Sequence, residues 1–266
     1  MPVECDVEFS PLEQERFHAV DKVIMGHSFD MHNAMGRFFD ERIYHEELMN
    51  RCGDSHIEAH REVEILVSHL DFHKKYYLDL LVERGAIYEL KTAESLSHSH
   101  QNQLINYLLL TDINHGKLVN FRAGSVESRF VSTRLNKNDR MTFKIDEANW
   151  KAHSEACVKL KCILQALLQD WGAFLEMSLY REALTHLLGG HNSDMQVVNI
   201  EVNGRIVGSQ KLNLLNPETA WHLSAARVNM QSYETHIARL LRHTRLNRIH
   251  WINLNQRSIS LKTLIK

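Results

Sequence analysis

The chain has 266 residues, 44% hydrophobic and 24% charged, with a net charge of −2. That composition excludes general disorder, and no run of 18 apolar residues exists, which excludes a membrane-spanning helix. Only 11 Gly and 3 Pro argue against a many-turn all-β fold. The acidic start Met1-Pro2-Val3-Glu4-Cys5-Asp6 has no secretory signal pattern. Cys5, Cys52, Cys157 and Cys162 show no disulfide-framework or CxxC spacing, so they read as reduced thiols of a cytoplasmic protein.

Residues 12–50 read as helical, because Phe17, Val20, Val23, Ile24, Phe29 and Met31 recur at three- and four-residue steps and Ile43, Leu48 and Met49 continue the series. Strands are expected over 63–70, 76–82 and 86–92, the last two joined by a turn at Glu83-Arg84-Gly85. A helix over 95–110 follows, then strands over 117–121 and 128–133. The order α, β, β, β, α, β, β is an α+β pattern. The polar stretch Asn136-Lys137-Asn138-Asp139-Arg140 reads as a linker.

The second half repeats this order. Met35-Gly36-Arg37-Phe38-Phe39 and Ile43-Tyr44-His45-Glu46-Glu47-Leu48 recur as Trp171-Gly172-Ala173-Phe174-Leu175 and Leu179-Tyr180-Arg181-Glu182-Ala183-Leu184. Leu78-Asp79-Leu80-Leu81 recurs as Leu212-Asn213-Leu214-Leu215, and Leu118-Val119-Asn120-Phe121 as Trp251-Ile252-Asn253-Leu254. Three matches in one order, at nearly one offset, point to duplication. Two tandem α+β modules are expected, over 1–135 and 141–266, each a mixed sheet flanked by helices, together forming a pseudo-dimer.

The sharpest chemical cluster lies in the first copy. Asp79 interrupts the apolar strand Tyr76-Tyr77-Leu78-Asp79-Leu80-Leu81-Val82, and Glu89-Leu90-Lys91 follows on the next strand. Side chains alternate along a strand, so Glu89 and Lys91 share a face, and a hairpin would bring Asp79 beside them. Two carboxylates suit a hard divalent cation such as Mg²⁺, with Lys91 offsetting developing charge. An ion pair on a solvated sheet face is the other reading of the same residues.

Asp79, Glu89-x-Lys91 and the strand–strand–helix order resemble the PD-(D/E)XK nuclease superfamily. More closely, the chain is similar to the bacterial GxxExxY proteins through Gly36 to Leu48, Asp79 to Glu94, His100-x-x-Gln103-Leu104-x-x-Tyr107-Leu108 and Asn120-Phe121. The signature reads Gly36-x-x-x-x-Glu41-x-x-Tyr44 here, with Phe38 in place of the family's second glycine. The resemblance implies a Mg²⁺- or Mn²⁺-dependent nuclease acting on DNA in preference to RNA. It makes Asp79, Glu89, Lys91 and Glu41 catalytic, with Asp79, Glu89 and Glu41 on the metal. It also makes Gln103, Tyr107 and Tyr44 substrate-positioning residues. Gln103 and Tyr107, four apart, share a helical face. His98 and His100 read as part of a polar loop leading into that helix.

In the second copy, sequence offset places Asn213 at Asp79, His222 at Glu89, Ser224 at Lys91, Met177 at Glu41, His236 at Gln103 and Leu240 at Tyr107. No carboxylate remains at a metal position, so this copy is expected to be catalytically dead and kept for packing or substrate binding. Charge is also divided. Residues 1–140 hold 16 basic and 23 acidic residues, whereas the last forty hold eight basic residues against Glu234 alone. Arg239, Arg242, Arg245 and Arg248 are the nucleic-acid-contacting candidates, the other reading being a solvated helix face. His243 and His250 flank these arginines, within reach of a phosphate. Cys157 and Cys162 are poorly spaced for zinc. The competing functions are a non-catalytic nucleic-acid-binding or scaffold protein on a nuclease-like fold, and a module that binds an unidentified protein partner.

Overall fold

The computed structural model describes residues 3–190 and 195–266. The chain divides into two compact units, residues 1–68 with 73–137, and residues 69–72 with 138–266. Each is an α+β unit built on a six-stranded mixed sheet flanked by helices. Among the described residues, no helix is long and apolar enough to cross a membrane.

In the first unit the helical stretch is two helices, α1 (Gln14–Met35) and α2 (Glu41–Asp54). Gly36 separates them. Its φ of +79° is a conformation that side chains with a Cβ rarely adopt, and its N–H caps His32 O at 2.8 Å. The strands are β1 (Val3–Glu4), β2 (Ala59–His69), β3 (Phe72–Val82), β4 (Ala86–Lys91), β5 (His115–Asn120) and β6 (Glu127–Ser132), in that spatial order. β4 and β5 run parallel, which requires a crossover. The crossover is α3 (His98–Thr111). Phe17, Val20 and Ile24 of α1 and Tyr44, Leu48 and Cys52 of α2 pack on Leu80, Tyr88, Leu90 and Val119. α3 covers the other face. A Cβ at Gly116 would lie 2.9 Å from the Ile87 carbonyl oxygen and 3.0 Å from Leu104 of α3, so glycine suits this close approach of strands and helix.

The second unit has α4 (Lys137–Arg140), β7 (Lys144–Asn149), α5 (Glu155–Trp171), α6 (Met177–Leu187), β8 (Met195–Val202), β9 (Arg205–Asn216), β10 (Thr219–Ser224), α7 (Met230–Arg242), β11 (Arg248–Asn255) and β12 (Ser258–Ile265). Its sheet order is β7-β12-β11-β10-β9-β8. From α5 onward the order of elements repeats that of the first unit from α1. The two sheets gain their sixth strand at different edges, β1 on β2 and β7 on β12. Both added strands escaped the sequence reading, being short or polar. The repeated order implied the β8–β9 hairpin, and Asn203-Gly204, both left-handed, closes it as a two-residue turn of the Asn-Gly kind.

The polar stretch 136–140 contains the change from the first unit to the second, after residue 137, but it does not end in solvent. Arg140 is buried in the second unit, where its Nη1 donates to Trp171 O at 2.9 Å and its carbonyl accepts the Ala173 N–H at 2.8 Å. The buried guanidinium and the Arg140 backbone together tie α4 to the end of α5 and to Ala173 just beyond it.

Candidate active site

The site of the first unit lies where β3 leaves β4. Their pairing runs from Val82–Ala86 to Leu80–Tyr88, and Asp79 is the first β3 residue beyond it. Leu90 turns into the α1–α2 core while Glu89 and Lys91 face the other way, as strand alternation predicts. Lys91 Nζ donates to Glu89 Oε1 at 2.7 Å and lies 3.5 Å from Asp79 Oδ2. Asp79 Oδ2 also accepts the Leu90 N–H at 2.8 Å. The hairpin thus brings together the three residues that the spacing singled out.

α2 contributes from its first turn. Glu41 Oε2 accepts the Thr92 N–H at 3.1 Å, tying the helix start to the end of β4. One turn on, His45 Nε2 is 3.8 Å from Asp79 Oδ2. Ligand atoms of Glu41, His45 and Asp79 all lie within 4.8 Å of one another. Glu89 is outside this group and sits deeper, fully buried beside Lys91. His45 was missed by the sequence reading. Its signal was the four-residue step from Glu41, which puts both on one helical face. The loop after β4 is held by Asn120, whose Oδ1 accepts the Ala93 N–H at 3.0 Å and whose Nδ2 donates to Ala93 O at 2.8 Å.

These contacts perturb the charges. Burial, followed by repulsion from Asp79, pushes the Glu89 carboxyl up to about 8. Burial by itself lowers the Lys91 ammonium, but Glu89 and Asp79 outweigh it and the net shift is upward. His45 Nε2 and Glu89 Oε2 are buried atoms without a hydrogen-bond partner. Orphaned buried donors and acceptors are costly, and two of them beside Asp79 and Lys91 mark a place built for an added ligand. The donor set fits a divalent cation: Glu41 and Asp79 offer hard oxygens suited to Mg²⁺ or Mn²⁺, and His45 adds a nitrogen. A cavity of about 460 Å³ opens on this group, lined by Glu41, Arg42, His45, Glu62, Tyr77 and Asp79.

Three expected positioning residues are placed differently. Tyr44 is fully buried, its hydroxyl donating to Gly36 O at 2.7 Å and its ring stacked 4.4 Å from Phe121. It braces the α1–α2 corner and does not reach the cavity. Gln103 Nε2 donates to Tyr107 OH at 2.9 Å, and neither residue is among those lining the cavity. Tyr107 is buried near Glu89 and Asp79, and burial pushes its phenol up to about 12. His100 closes a reciprocal cap with Ser97 at the start of α3.

The second unit reproduces the frame without the acids. Tyr180 OH donates to Gly172 O at 2.6 Å, and Gly172 has the same φ of +79° as Gly36. Asn253 clamps Ala226 as Asn120 clamps Ala93, at 2.8 and 3.0 Å. Lys91 pairs with Asn120 across the parallel strands, and Ser224 with Asn253. His222 and Ser224 therefore stand at the Glu89 and Lys91 positions. The register corrects the Asp79 counterpart. Leu80 lies opposite Tyr88, and Asn213 lies opposite Trp221, the Tyr88 counterpart. Asp79 thus corresponds to Leu212, which packs on the apolar cluster of Ala220, Ile237, Leu241 and Trp251. A bulge beside Thr219 causes the one-residue difference. His222 Nε2 is 2.8 Å from Tyr233 OH, and burial, then the Arg181 charge, lowers its pKa.

The four arginines lie at the other end of this unit. Arg239 and Arg242 are in the last turn of α7, Arg245 follows it, and Arg248 begins β11. Ser224 and Asn253 are toward the far ends of the parallel strands β10 and β11. Arg245 Nε bonds Glu201 Oε1 at 2.8 Å, and cations at a helix C-terminus are favourable without any ligand. His250 is fully buried and so is not set to touch a phosphate, while the exposed His243 has its Nδ1 3.0 Å from Glu201 O.

Residues 18–131 match the family model of the PD-(D/E)XK nuclease superfamily. No curated protein and no solved structure matches the chain significantly. The matched segment, less than half of the chain, contains Glu41, His45, Asp79, Glu89 and Lys91.

Proposed function

We propose that the first unit is a metal-dependent nuclease that hydrolyses phosphodiester bonds, with DNA preferred. The observation that carries this reading is the convergence of Asp79, Glu41 and His45 within 4.8 Å, beside the Lys91–Glu89 pair. Asp79 and Glu41 hold the cation, with His45 as a third donor. Glu89, called a metal ligand by family resemblance, instead positions Lys91. When bound, the cation supplies positive charge that stabilises the phosphoryl transition state and eases loss of a proton from water.

The residues of the chain do the rest. Lys91 is cationic and anchored through one N–H to Glu89, which leaves its others to orient a water or a non-bridging phosphate oxygen. Arg42, lining the same cavity, offers a planar donor fork for a second phosphate oxygen. The closer kinship to GxxExxY proteins rests on Gly36, Glu41 and Tyr44. The second unit serves packing or substrate binding, since no carboxylate stands at the positions of Glu41, Asp79 and Glu89.

The test is cleavage of labelled single- and double-stranded DNA and RNA with Mg²⁺ or Mn²⁺, using Lys91→Ala as control. Cleavage by wild type and not by the variant is the expected result and names the substrate. No cleavage, together with no Mn²⁺ binding at Glu41 and Asp79, overturns the proposal in favour of a non-catalytic nucleic-acid-binding or scaffold protein.

A further inference from the structure

The second unit contains a side-chain cluster that the nuclease reading does not use. His153 precedes α5, Cys157 lies in its first turn and His250 is in the middle of β11. One ligand atom from each lies within 4.8 Å of the others. Cys157 and His250 are fully buried, and His153 is exposed, so the cluster is closed on the sheet side and open toward solvent at one residue.

Both imidazoles meet the sulfur and a threonine hydroxyl. His250 Nδ1 is 3.0 Å from Thr263 Oγ1, and its Nε2 is 3.0 Å from Cys157 Sγ. His153 Nε2 is 3.2 Å from Thr219 Oγ1, and its Nδ1 is 3.6 Å from the same sulfur. The His250 ring thus has its outer nitrogen against a threonine hydroxyl and its inner nitrogen toward the thiol, whereas the exposed His153 ring lies beside the sulfur with Nε2 at 3.8 Å as well. An outer partner that fixes ring orientation and tautomer is the usual support of a metal-binding histidine. Thr263 is itself fixed, since its hydroxyl accepts the Lys151 N–H at 2.9 Å. The Trp150 ring stacks on His250 at 4.3 Å and walls the site, and Ser154 Oγ is 3.0 Å from the sulfur.

We infer that His153, Cys157 and His250 form a metal site of the Zn²⁺ class. One thiolate and two imidazoles are the donors that a borderline-soft divalent ion takes, whereas Mg²⁺ takes oxygens. Tetrahedral coordination with usual Zn–S and Zn–N lengths sets sulfur and nitrogen about 3.5 Å apart. The His250 separation of 3.0 Å needs little adjustment, and the exposed His153 ring has only to turn to aim one nitrogen at the ion. Binding forms one bond from sulfur and one from each ring nitrogen. The thiol proton of Cys157 goes to solvent, and nothing is oxidised or reduced. Three protein ligands leave the fourth position to water. The ion would join the segment before α5, the helix itself and β11. This site has a different ligand set from the Glu41–His45–Asp79 group, and its presence does not depend on nuclease activity.

The experiment uses the full chain, reduced and stripped of metal, titrated with Co²⁺ and followed by absorption. A thiolate-to-cobalt charge-transfer band that saturates at one equivalent and is bleached by Zn²⁺ is expected. Cys157→Ser removes this band and Asp79→Asn retains it. His153→Ala, a surface change that leaves the fold intact by circular dichroism, weakens Co²⁺ binding more than about tenfold. Absence of the band in wild type overturns the site. So does its persistence in Cys157→Ser, its loss in Cys162→Ser, or unchanged Co²⁺ affinity in His153→Ala.

Discussion

The two units share a frame and differ at the positions that carry chemistry. Gly36 with Tyr44 matches Gly172 with Tyr180 in conformation and in the hydroxyl-to-carbonyl bond. Asn120 with Ala93 matches Asn253 with Ala226. Against that frame, Glu41, Asp79, Glu89 and Lys91 give way to Met177, Leu212, His222 and Ser224. The replacements follow local demand. Leu212 adds apolar contact where Asp79 stands at the mouth of a polar cavity. Ser224 joins a neutral chain, accepting from Trp251 Nε1 at 2.8 Å and donating to Asn253 Oδ1 at 2.7 Å. The difference teaches that side-chain hydrogen bonds to backbone are common to both units, whereas the acidic cluster is confined to the first.

Transplanting one unit's residue into the other breaks the comparison most sharply. Asp79→Leu is expected to lower metal-dependent cleavage by about a thousandfold or more, while the melting temperature in chelator does not fall. Ser224→Ala, at the Lys91 counterpart, leaves the cleavage rate unchanged. A loss of cleavage in Ser224→Ala, or full activity in Asp79→Leu, would show that the two units do not divide in this way.

Glu89 and His222 occupy one position, and burial disfavours the charged form of both, with opposite pH consequences. The Glu89 pKa is about 8 in the fold and about 4.3 unfolded. Between these values the folded state holds the extra proton, so its stability falls as pH rises through that window. Glu89→Gln removes the effect and is expected to stabilise the metal-free protein at pH 8 by on the order of 2 kcal/mol, read by urea denaturation across pH 5 to 8.5. A variant with the wild-type pH slope would refute it.

The shared frame predicts equal losses. Asn120→Ala and Asn253→Ala each strand an N–H and a carbonyl, of Ala93 and Ala226, and each is expected to cost about 1–2 kcal/mol, measured by chemical denaturation. Markedly unequal values would mean the clamps are not equivalent. The smallest effect belongs to His222. Its pKa is lowered in the fold, so the unfolded state binds its proton first and this stability is lost as pH falls below about 6.5. His222→Gln is expected to flatten that loss in acid denaturation curves.

Periodicity, strand alternation and internal repetition made much of this molecule legible beforehand. The α–β–β–β–α–β–β order and the alignment of Glu89 with Lys91 on one strand face depend on neighbours a few residues apart. The cluster Asp79–Glu89–Lys91 was readable because a short turn at Glu83-Arg84-Gly85 leaves little freedom in how β3 meets β4. Tyr44 misled because a signature residue can owe its place to packing: its hydroxyl is taken by Gly36 O. Asn213 misled because a bulge shifts register by one residue without any loss of sequence similarity.

By itself the sequence determined the class of fold, the repeated order of elements and the neighbourhood of Asp79, Glu89 and Lys91, since each is written in local spacing. Only the tertiary structure decided that His45 completes the group with Glu41 and Asp79, that Leu212 replaces Asp79, and that Cys157 faces His250. His45 and Asp79 are 34 positions apart, and Cys157 and His250 are 93 apart. These relations are settled by how a helix meets a sheet edge and by strand register, which arise when apolar faces are buried against one another.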